Sequence, residues 1–303
     1  MQNAPRRHTV PVRNGPETRA RHEIVFYDWG NPDAMNVTIC VHGLTRNAHD
    51  FTIIAEELAK TGRRVIALNM AGRGESQWLD DPMSYHYGTY VADCLAIMDN
   101  FHLRGVEWIG TSMGGIIGMM IAAQQNGRIK KLILNDIGTT IEPPALARIY
   151  EYVRTMPTEF TDRAAAGVYM QEVYKPFGIT DPGEWETFVN SSLLSGADGK
   201  LRPACDPAIA EPLRVATKDF TEIDAPDLTD IWQQIRIPSL IIRGSESDVL
   251  TGSTVHHMRL SNIKSQSIVI QGVGHAPMLN TPEQIDIVKR WLIEGNLKTS
   301  AFR

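Results

Sequence analysis

Ser112 lies in the pentapeptide Gly-Thr-Ser-Met-Gly at positions 110–114, between an apolar run at 106–109 and a second one that begins at Ile116. A β-branched strand, a sharp glycine-flanked turn and a helix, in that order, lift one serine hydroxyl clear of the edge of a sheet. Gly110 and Gly114 leave room where side chains would crowd the bend. The spacing therefore makes Ser112 a candidate nucleophile on an elbow-shaped turn.

A serine hydroxyl is a weak nucleophile at neutral pH and needs a base, and the base needs a third group to fix its tautomer. Asp248 and His275 each lie just past one of the last two predicted strands, at 240–242 and 267–270. This gives the chain order serine, acid, histidine. We predict Ser112 as nucleophile, His275 as general base and Asp248 as the orienting acid, with Asp136, also at a strand end, as the alternative acid.

Acyl transfer also requires donors for the oxyanion. The backbone N–H of Met113 follows the nucleophile at a predicted helix N-terminus, and that of Leu44 follows His42 and Gly43 at another strand end. Gly43 would let this loop approach the substrate closely. For His42 the favoured interpretation is a hydrogen bond that holds the loop, with contact to substrate as an alternative.

The elements that must position these residues alternate regularly. Strand patterns at 37–41, 65–70, 106–109 and 131–134 are separated by amphipathic helix patterns, and the same alternation returns after Pro238. This predicts an α/β fold with a mostly parallel central sheet flanked by helices. Because ligands bind at the carboxyl ends of the strands in such sheets, the candidate residues are expected to meet at one edge.

Between these two parts, residues 139–220 carry helix patterns separated by Pro and Gly breaks and no strand signal. A long insertion at the active edge of a sheet predicts a helical cap over the pocket. We therefore predict a core of residues 1–138 and 221–303 with an inserted cap at 139–220.

The composition argues against several classes of protein, among them nucleic-acid-binding and membrane proteins. The 303 residues are 43% hydrophobic and 21% charged with a net charge of −5, which does not favour nucleic acid or an anionic membrane as a partner. The arginine- and proline-rich residues 1–21 lack the apolar run of a secretory signal, and no stretch is apolar for long enough to cross a bilayer, so a cytoplasmic protein is expected. Three scattered cysteines and nine histidines show no metal-ligand spacing, and no cofactor is expected.

With His42-Gly43-Leu44, Gly72-Arg73-Gly74, the Ser112 elbow, the Asp248 loop and Gly274-His275 in place, the chain resembles the α/β-hydrolase superfamily over roughly residues 8–295, in its capped single-domain form. Within it the chain is similar to carboxylesterases and lactonases. The resemblance implies an acyl-enzyme on Ser112 and a small-molecule ester or lactone of small to medium size as substrate.

Other members of the superfamily remain alternatives. Dehalogenases and epoxide hydrolases carry aspartate at the elbow, unlike this chain. Carbon–carbon bond hydrolases of ring-cleavage pathways usually have a longer Gly-Pro-Gly oxyanion loop, and thioesterases or acyltransferases use the same triad. A ligand receptor on the same fold is the alternative without catalysis. The sequence does not decide between monomer and dimer.

Arg46 follows the oxyanion loop directly. Its guanidinium could bind a carboxylate on the acyl or leaving group of a substrate. The alternative interpretation is a solvent-facing loop charge.

Overall fold

A computed structural model describes residues 4–13, 21–124, 126–196, 198–218 and 226–297. Its strands, in chain order, are β1 (Arg6–Arg13), β2 (Arg21–Trp29), β3 (Val37–Val41), β4 (Arg64–Leu68), β5 (Val106–Thr111), β6 (Ile129–Asn135), β7 (Leu193–Ser195), β8 (Leu201–Pro203), β9 (Ser239–Gly244) and β10 (Ser265–Ile270). Eight of them form one sheet in the order β1-β2-β4-β3-β5-β6-β9-β10. Within this eight-stranded sheet only the pairs β1–β2 and β2–β4 are antiparallel, so the predicted mostly parallel sheet is confirmed.

The α-helices, in chain order, are α1 (Thr52–Ala59), α2 (Tyr87–Asn100), α3 (Met113–Ala123), α4 (Pro143–Arg154), α5 (Arg163–Tyr174), α6 (Pro182–Ser191), α7 (Ala210–Ala216), α8 (Thr229–Gln234), α9 (Gly252–Ser261) and α10 (Pro282–Glu294). Short 3-10 helices lie at Ala48–Phe51, Pro82–Ser84, Lys175–Phe177 and Pro207–Ile209. Within the described chain no helix combines the length and the apolar character that a bilayer crossing requires.

Both faces of the sheet are covered by helices. A large apolar cluster on one face includes side chains of α2, α3, α8 and α9, and a second cluster on the other face includes side chains of α1 and α10. The central strands are consequently buried on both sides, which explains their continuous apolar runs. The helices pack against the sheet from both sides, and the candidate residues lie on the loops that follow the strand ends.

Side-chain caps mark the starts of two helical segments on the second face. The Asn47 side chain accepts a hydrogen bond from the His49 backbone N–H at the 3-10 turn before α1. The Thr281 side chain accepts one from the Gln284 backbone N–H, with Pro282 at the first position of α10.

Helices α4 to α7 follow β6, within the range predicted as a cap, and are called the cap below; a small apolar cluster lies among them around Phe160, Tyr174 and Phe188. The expectation that this region contains no strand is wrong, because β7 and β8 pair there as an antiparallel hairpin. Each has only three residues, too few to produce an alternating pattern in the sequence. The predicted boundary between cap and core at 220/221 lies outside the described residues.

Candidate active site

Ser112 joins the end of β5 to the start of α3 with a backbone φ of 50° and ψ of −114°. A residue with a side chain adopts this region only where its surroundings enforce it. A Cβ at Gly110 would lie 2.3 Å from the Gly114 carbonyl oxygen, and one at Gly114 would lie 2.0 Å from that of Val41. Both glycines are therefore required by the close approach of β5, α3 and β3, and the sharp turn pushes the serine side chain outwards.

His275 and Asp136 complete a chain of hydrogen bonds that begins at Ser112. The Ser112 Oγ atom lies 3.0 Å from His275 Nε2, and His275 Nδ1 lies 2.7 Å from Asp136 Oδ2. An ionised carboxylate only accepts, so Nδ1 carries the proton and Nε2 is left as the acceptor for the serine hydroxyl. The three side chains follow β5, β10 and β6, whose carboxyl ends meet at the same edge of the sheet.

The Asp136 carboxylate is completely buried, and backbone and side-chain donors hold it in place. Its Oδ1 accepts a hydrogen bond from the Gly244 N–H at 2.8 Å, and its Oδ2 accepts one from the Ser247 hydroxyl at 2.5 Å. Together with His275 these donors satisfy both oxygens, as a buried charge requires. The orientation of the carboxylate toward the imidazole is therefore fixed.

Asp248, the acid that the sequence favours, is placed differently. Its carboxylate accepts two hydrogen bonds from Arg148 of α4, at 2.7 and 2.8 Å, and its side chain is 46% exposed. The contact with His275 predicted for Asp248 is thus made by Asp136, and the prediction is corrected. In the loop after β9 it is Ser247 that points inward to Asp136, while Asp248, one residue later, points to the cap. A strand-end position alone does not distinguish the two acids.

Leu44 and Met113, whose backbone N–H groups are the predicted oxyanion donors, line the same cavity as Ser112. Met113 is the first residue of α3, so its N–H has no carbonyl of an earlier helical turn to bond. On the other side, Gly43 approaches Ser112 so closely that a Cβ on it would lie 3.8 Å from the serine Cβ. The N–H of Leu44 follows in the same loop.

His42 holds this loop. The Met70 N–H donates to His42 Nε2 at 3.1 Å, so Nδ1 carries the ring proton and donates to the Gly43 carbonyl at 2.7 Å. That carbonyl belongs to the same peptide unit as the Leu44 N–H. Complete burial lowers the pKa of His42 to about 3, and its hydrogen bond to Gly43 opposes this only in part. The ring is therefore neutral at physiological pH and orients the peptide instead of transferring protons.

Arg73 is a residue whose role sequence reasoning missed. Its buried guanidinium donates to the Leu44 carbonyl at 2.9 Å and to the Tyr90 hydroxyl at 2.7 Å. The peptide that follows Leu44 is thereby held from the opposite side. The only signal in the sequence is an arginine between Gly72 and Gly74 at the end of a strand.

Arg46 is not placed as the carboxylate-binding prediction requires. Its guanidinium donates to Asp50 and, at 2.6 Å, to the Ser192 hydroxyl of the cap, and it lies 3.6 Å above the centre of the Phe188 ring. These contacts bury it almost completely. The side chain bridges the core and the cap. It is therefore not the solvent-facing charge of the alternative interpretation either.

Ser112 lies between two cavities under the cap. The larger one, about 340 Å³, has mainly apolar walls that include Leu44 and Met113 together with residues of α4 and α7: Leu146, Ile149, Tyr150, Tyr152, Pro212, Leu213 and Ala216. The smaller one, about 30 Å³, is lined by apolar and aromatic side chains together with a few polar ones, among them Arg148 and His275. No group of three or more His, Cys, Asp or Glu side chains among the described residues could hold a metal ion.

Comparison with known proteins adds to this geometry. The model of the alpha/beta hydrolase fold matches residues 36–169. A 3-hydroxybutyrate-oligomer hydrolase from Cupriavidus necator is 34% identical over 274 residues, which cover 89% of this chain and 92% of the relative. The crystal structure of a protein from Rickettsia typhi has 33% sequence identity to this chain and a TM-score of 0.86. The match covers 95% of this chain and 99% of the Rickettsia typhi chain. An alpha/beta hydrolase from Novosphingobium aromaticivorans has 28% identity and a TM-score of 0.81, with 96% and 98% covered.

Proposed function

The chain belongs to the α/β-hydrolase family and is a hydrolase, and from this premise we propose that it cleaves carboxylic esters through a covalent acyl-enzyme on Ser112. The observation that carries the proposal is the continuous hydrogen-bond chain from Ser112 Oγ through His275 to the buried Asp136. It supplies an activated nucleophile, a base of fixed tautomer and an acid that stabilises the imidazolium. Asp136 takes the role first predicted for Asp248.

In the first half of the reaction Ser112 Oγ bonds to the ester carbonyl carbon while its proton passes to His275 Nε2. The carbonyl oxygen becomes an oxyanion, which accepts hydrogen bonds from the N–H groups of Leu44 and Met113. The carbon–oxygen bond to the alcohol then breaks, and His275 returns the proton to the leaving oxygen. The alcohol departs and the acyl group remains on Ser112.

The second half repeats these steps with water as the nucleophile. His275 takes a proton from water, the hydroxide oxygen bonds to the acyl carbon, and the same two N–H groups stabilise the oxyanion. The bond to Ser112 Oγ breaks, and the proton on His275 restores the serine hydroxyl. The carboxylic acid product then leaves.

For the substrate we infer short oligoesters of 3-hydroxybutyrate. The Cupriavidus necator relative bears that activity in its name and matches nearly the whole chain. A mainly apolar cavity of about 340 Å³ beside Ser112 suits a short branched acyl unit. Thioester and carbon–carbon bond hydrolysis use the same nucleophile and base, and the assay that follows separates them.

The test compares the wild type, Ser112→Ala and the control Ser261→Ala, an exposed serine on α9. The substrates are linear 3-hydroxybutyrate dimer and trimer, nitrophenyl esters of graded chain length, matched acyl thioesters and a ring-cleavage diketone. We expect hydrolysis of the esters by the wild type and the control, and a loss on the order of 10⁵-fold or more in kcat for Ser112→Ala.

Full ester hydrolysis by Ser112→Ala would contradict the nucleophile. Turnover of thioesters or of the diketone without turnover of esters would replace the proposed function by the corresponding alternative.

A further inference from the structure

Two cationic side chains border the smaller cavity beside Ser112. Arg46 and Arg148 are among its lining residues, and the lining contains no aspartate or glutamate. Its volume of about 30 Å³ makes it the more confined of the two cavities beside Ser112. Guanidinium groups at the wall of a substrate cavity favour an anionic substituent on the substrate.

Of the two arginines, Arg148 is the one with binding capacity left. The guanidinium of Arg46 already donates hydrogen bonds to Asp50 and Ser192 and packs against the Phe188 ring. Arg148 donates to Asp248 through Nε and Nη2, on one edge of its guanidinium. The group has five N–H donors, so the edge with Nη1 remains for a second acceptor. Its side chain is 35% exposed, and solvent or substrate can reach it.

The position of this cavity assigns it to the leaving group. His275 lines the smaller cavity but not the larger one, and Met113 lines the larger cavity but not the smaller one, whereas Ser112 and Leu44 line both. In the proposed reaction His275 protonates the leaving oxygen, so the alcohol part of the ester lies on the side of His275. The acyl part then lies in the larger, apolar cavity.

We propose that Arg148, held in place by Asp248, binds a carboxylate on the alcohol part of the substrate. The inference rests on the proposed function and adds to it a preference for esters whose leaving group is itself an acid, such as a hydroxy acid with a free carboxyl end. Because the arginine belongs to the cap, a bound carboxylate also ties the cap to the substrate.

Asp248 is a positioning residue in this arrangement. Its two hydrogen bonds form a planar, two-point contact that fixes the rotation of the guanidinium. Partial burial raises the pKa of the Asp248 carboxyl, but the hydrogen bonds and charge of Arg148 outweigh it and keep that pKa below its ordinary value. The carboxyl is therefore ionised at neutral pH and holds Arg148 throughout the working range.

The test uses two esters with the same acyl group: the 3-hydroxybutyrate dimer with its free carboxylate, and the same dimer with that end converted to a primary amide. For the wild type we expect a higher kcat/KM on the acid. Arg148→Ala should lower kcat/KM on the acid by about 10- to 100-fold, the range for a hydrogen bond to a charged group, and leave the amide within about twofold. If Arg148→Ala does not fold, Arg148→Gln replaces it, and the same selective loss on the acid is expected.

Asp248→Asn should raise KM for the acid and leave kcat on the amide unchanged. Arg154→Ala, an exposed arginine at the end of the same helix, is the control and should change neither substrate.

Equal losses on both substrates in the Arg148 variants, or equal kcat/KM on both in the wild type, would overturn the subsite and leave the proposed function standing. A wild type inactive on both dimers and on nitrophenyl esters would overturn the proposed function and the subsite together.

Discussion

Asp136 and Asp248 both follow strand ends near His275, but their surroundings differ. Asp136 is completely buried and bonded to Ser247, Gly244 and the imidazole. Asp248 is half-exposed and bonded to the cap. A buried carboxylate of fixed orientation fixes the tautomer of the histidine that it contacts. A partly exposed carboxylate that accepts two hydrogen bonds from an arginine serves to orient that arginine. We therefore expect the two acids to have separate functions.

This separation predicts opposite results for two isosteric substitutions. Asp136→Asn should lower kcat on neutral nitrophenyl esters by on the order of 10⁴-fold, because the amide favours the wrong tautomer of His275. Asp248→Asn should leave the same kcat within about threefold, far from the loss that a triad acid shows. Steady-state kinetics on both variants measures this. A large loss in Asp248→Asn with a small one in Asp136→Asn would restore the original assignment.

Among single residues, the sequence indicates most clearly those with a local pattern. Ser112 and His275 lie in glycine-rich turns after strands, and they occupy adjacent positions in the structure. The choice between Asp136 and Asp248 depends on which side chain of the β9 loop turns inward, and no local pattern encodes that. The contact of Arg46 with the cap and that of Arg148, on the cap, with Asp248 of the core depend on tertiary packing for the same reason.

At the scale of elements, the oxyanion loop is held by groups from three directions. His42 fixes the Gly43–Leu44 peptide, Arg73 fixes the Leu44 carbonyl, and the Arg46 N–H bonds the Gly43 carbonyl at 3.1 Å. Preorganised donors are the condition for strong electrostatic catalysis, so these hydrogen bonds suit the proposed oxyanion role of the loop. The sequence indicates the loop through His42 and Gly43 but not its supports.

At the same scale, Arg46 connects the core to the cap. Arg46→Ala removes the partner of Asp50, whose side chain is 12% exposed, and the contacts to Ser192 and Phe188. Removing one member of a buried ion pair should lower the free energy of unfolding by on the order of 3 kcal/mol. Urea denaturation measures this, with Arg154→Ala as the exposed control. Equal midpoints for Arg46→Ala and the wild type would contradict the bridge.

At the scale of the whole molecule, the alternation of strands and helices predicts the sheet because each strand must be covered on both faces. The same pattern places Ser112, Asp136 and His275 at one edge before any coordinate is known. It does not predict the β7–β8 hairpin, whose strands are too short to show a period. Nor does it predict the two cavities, whose walls come from helices far apart in the chain.

The central claim, that Ser112 is the single activated nucleophile of this molecule, is tested most directly by covalent labelling. A fluorophosphonate reacts when an activated serine oxygen bonds to phosphorus and fluoride leaves. Intact mass spectrometry and peptide mapping of the whole protein should find one adduct, on Ser112, which Ser112→Ala abolishes, His275→Ala and Asp136→Asn strongly slow, and Asp248→Asn preserves. An adduct on another residue, or labelling that persists in Ser112→Ala, would contradict the account.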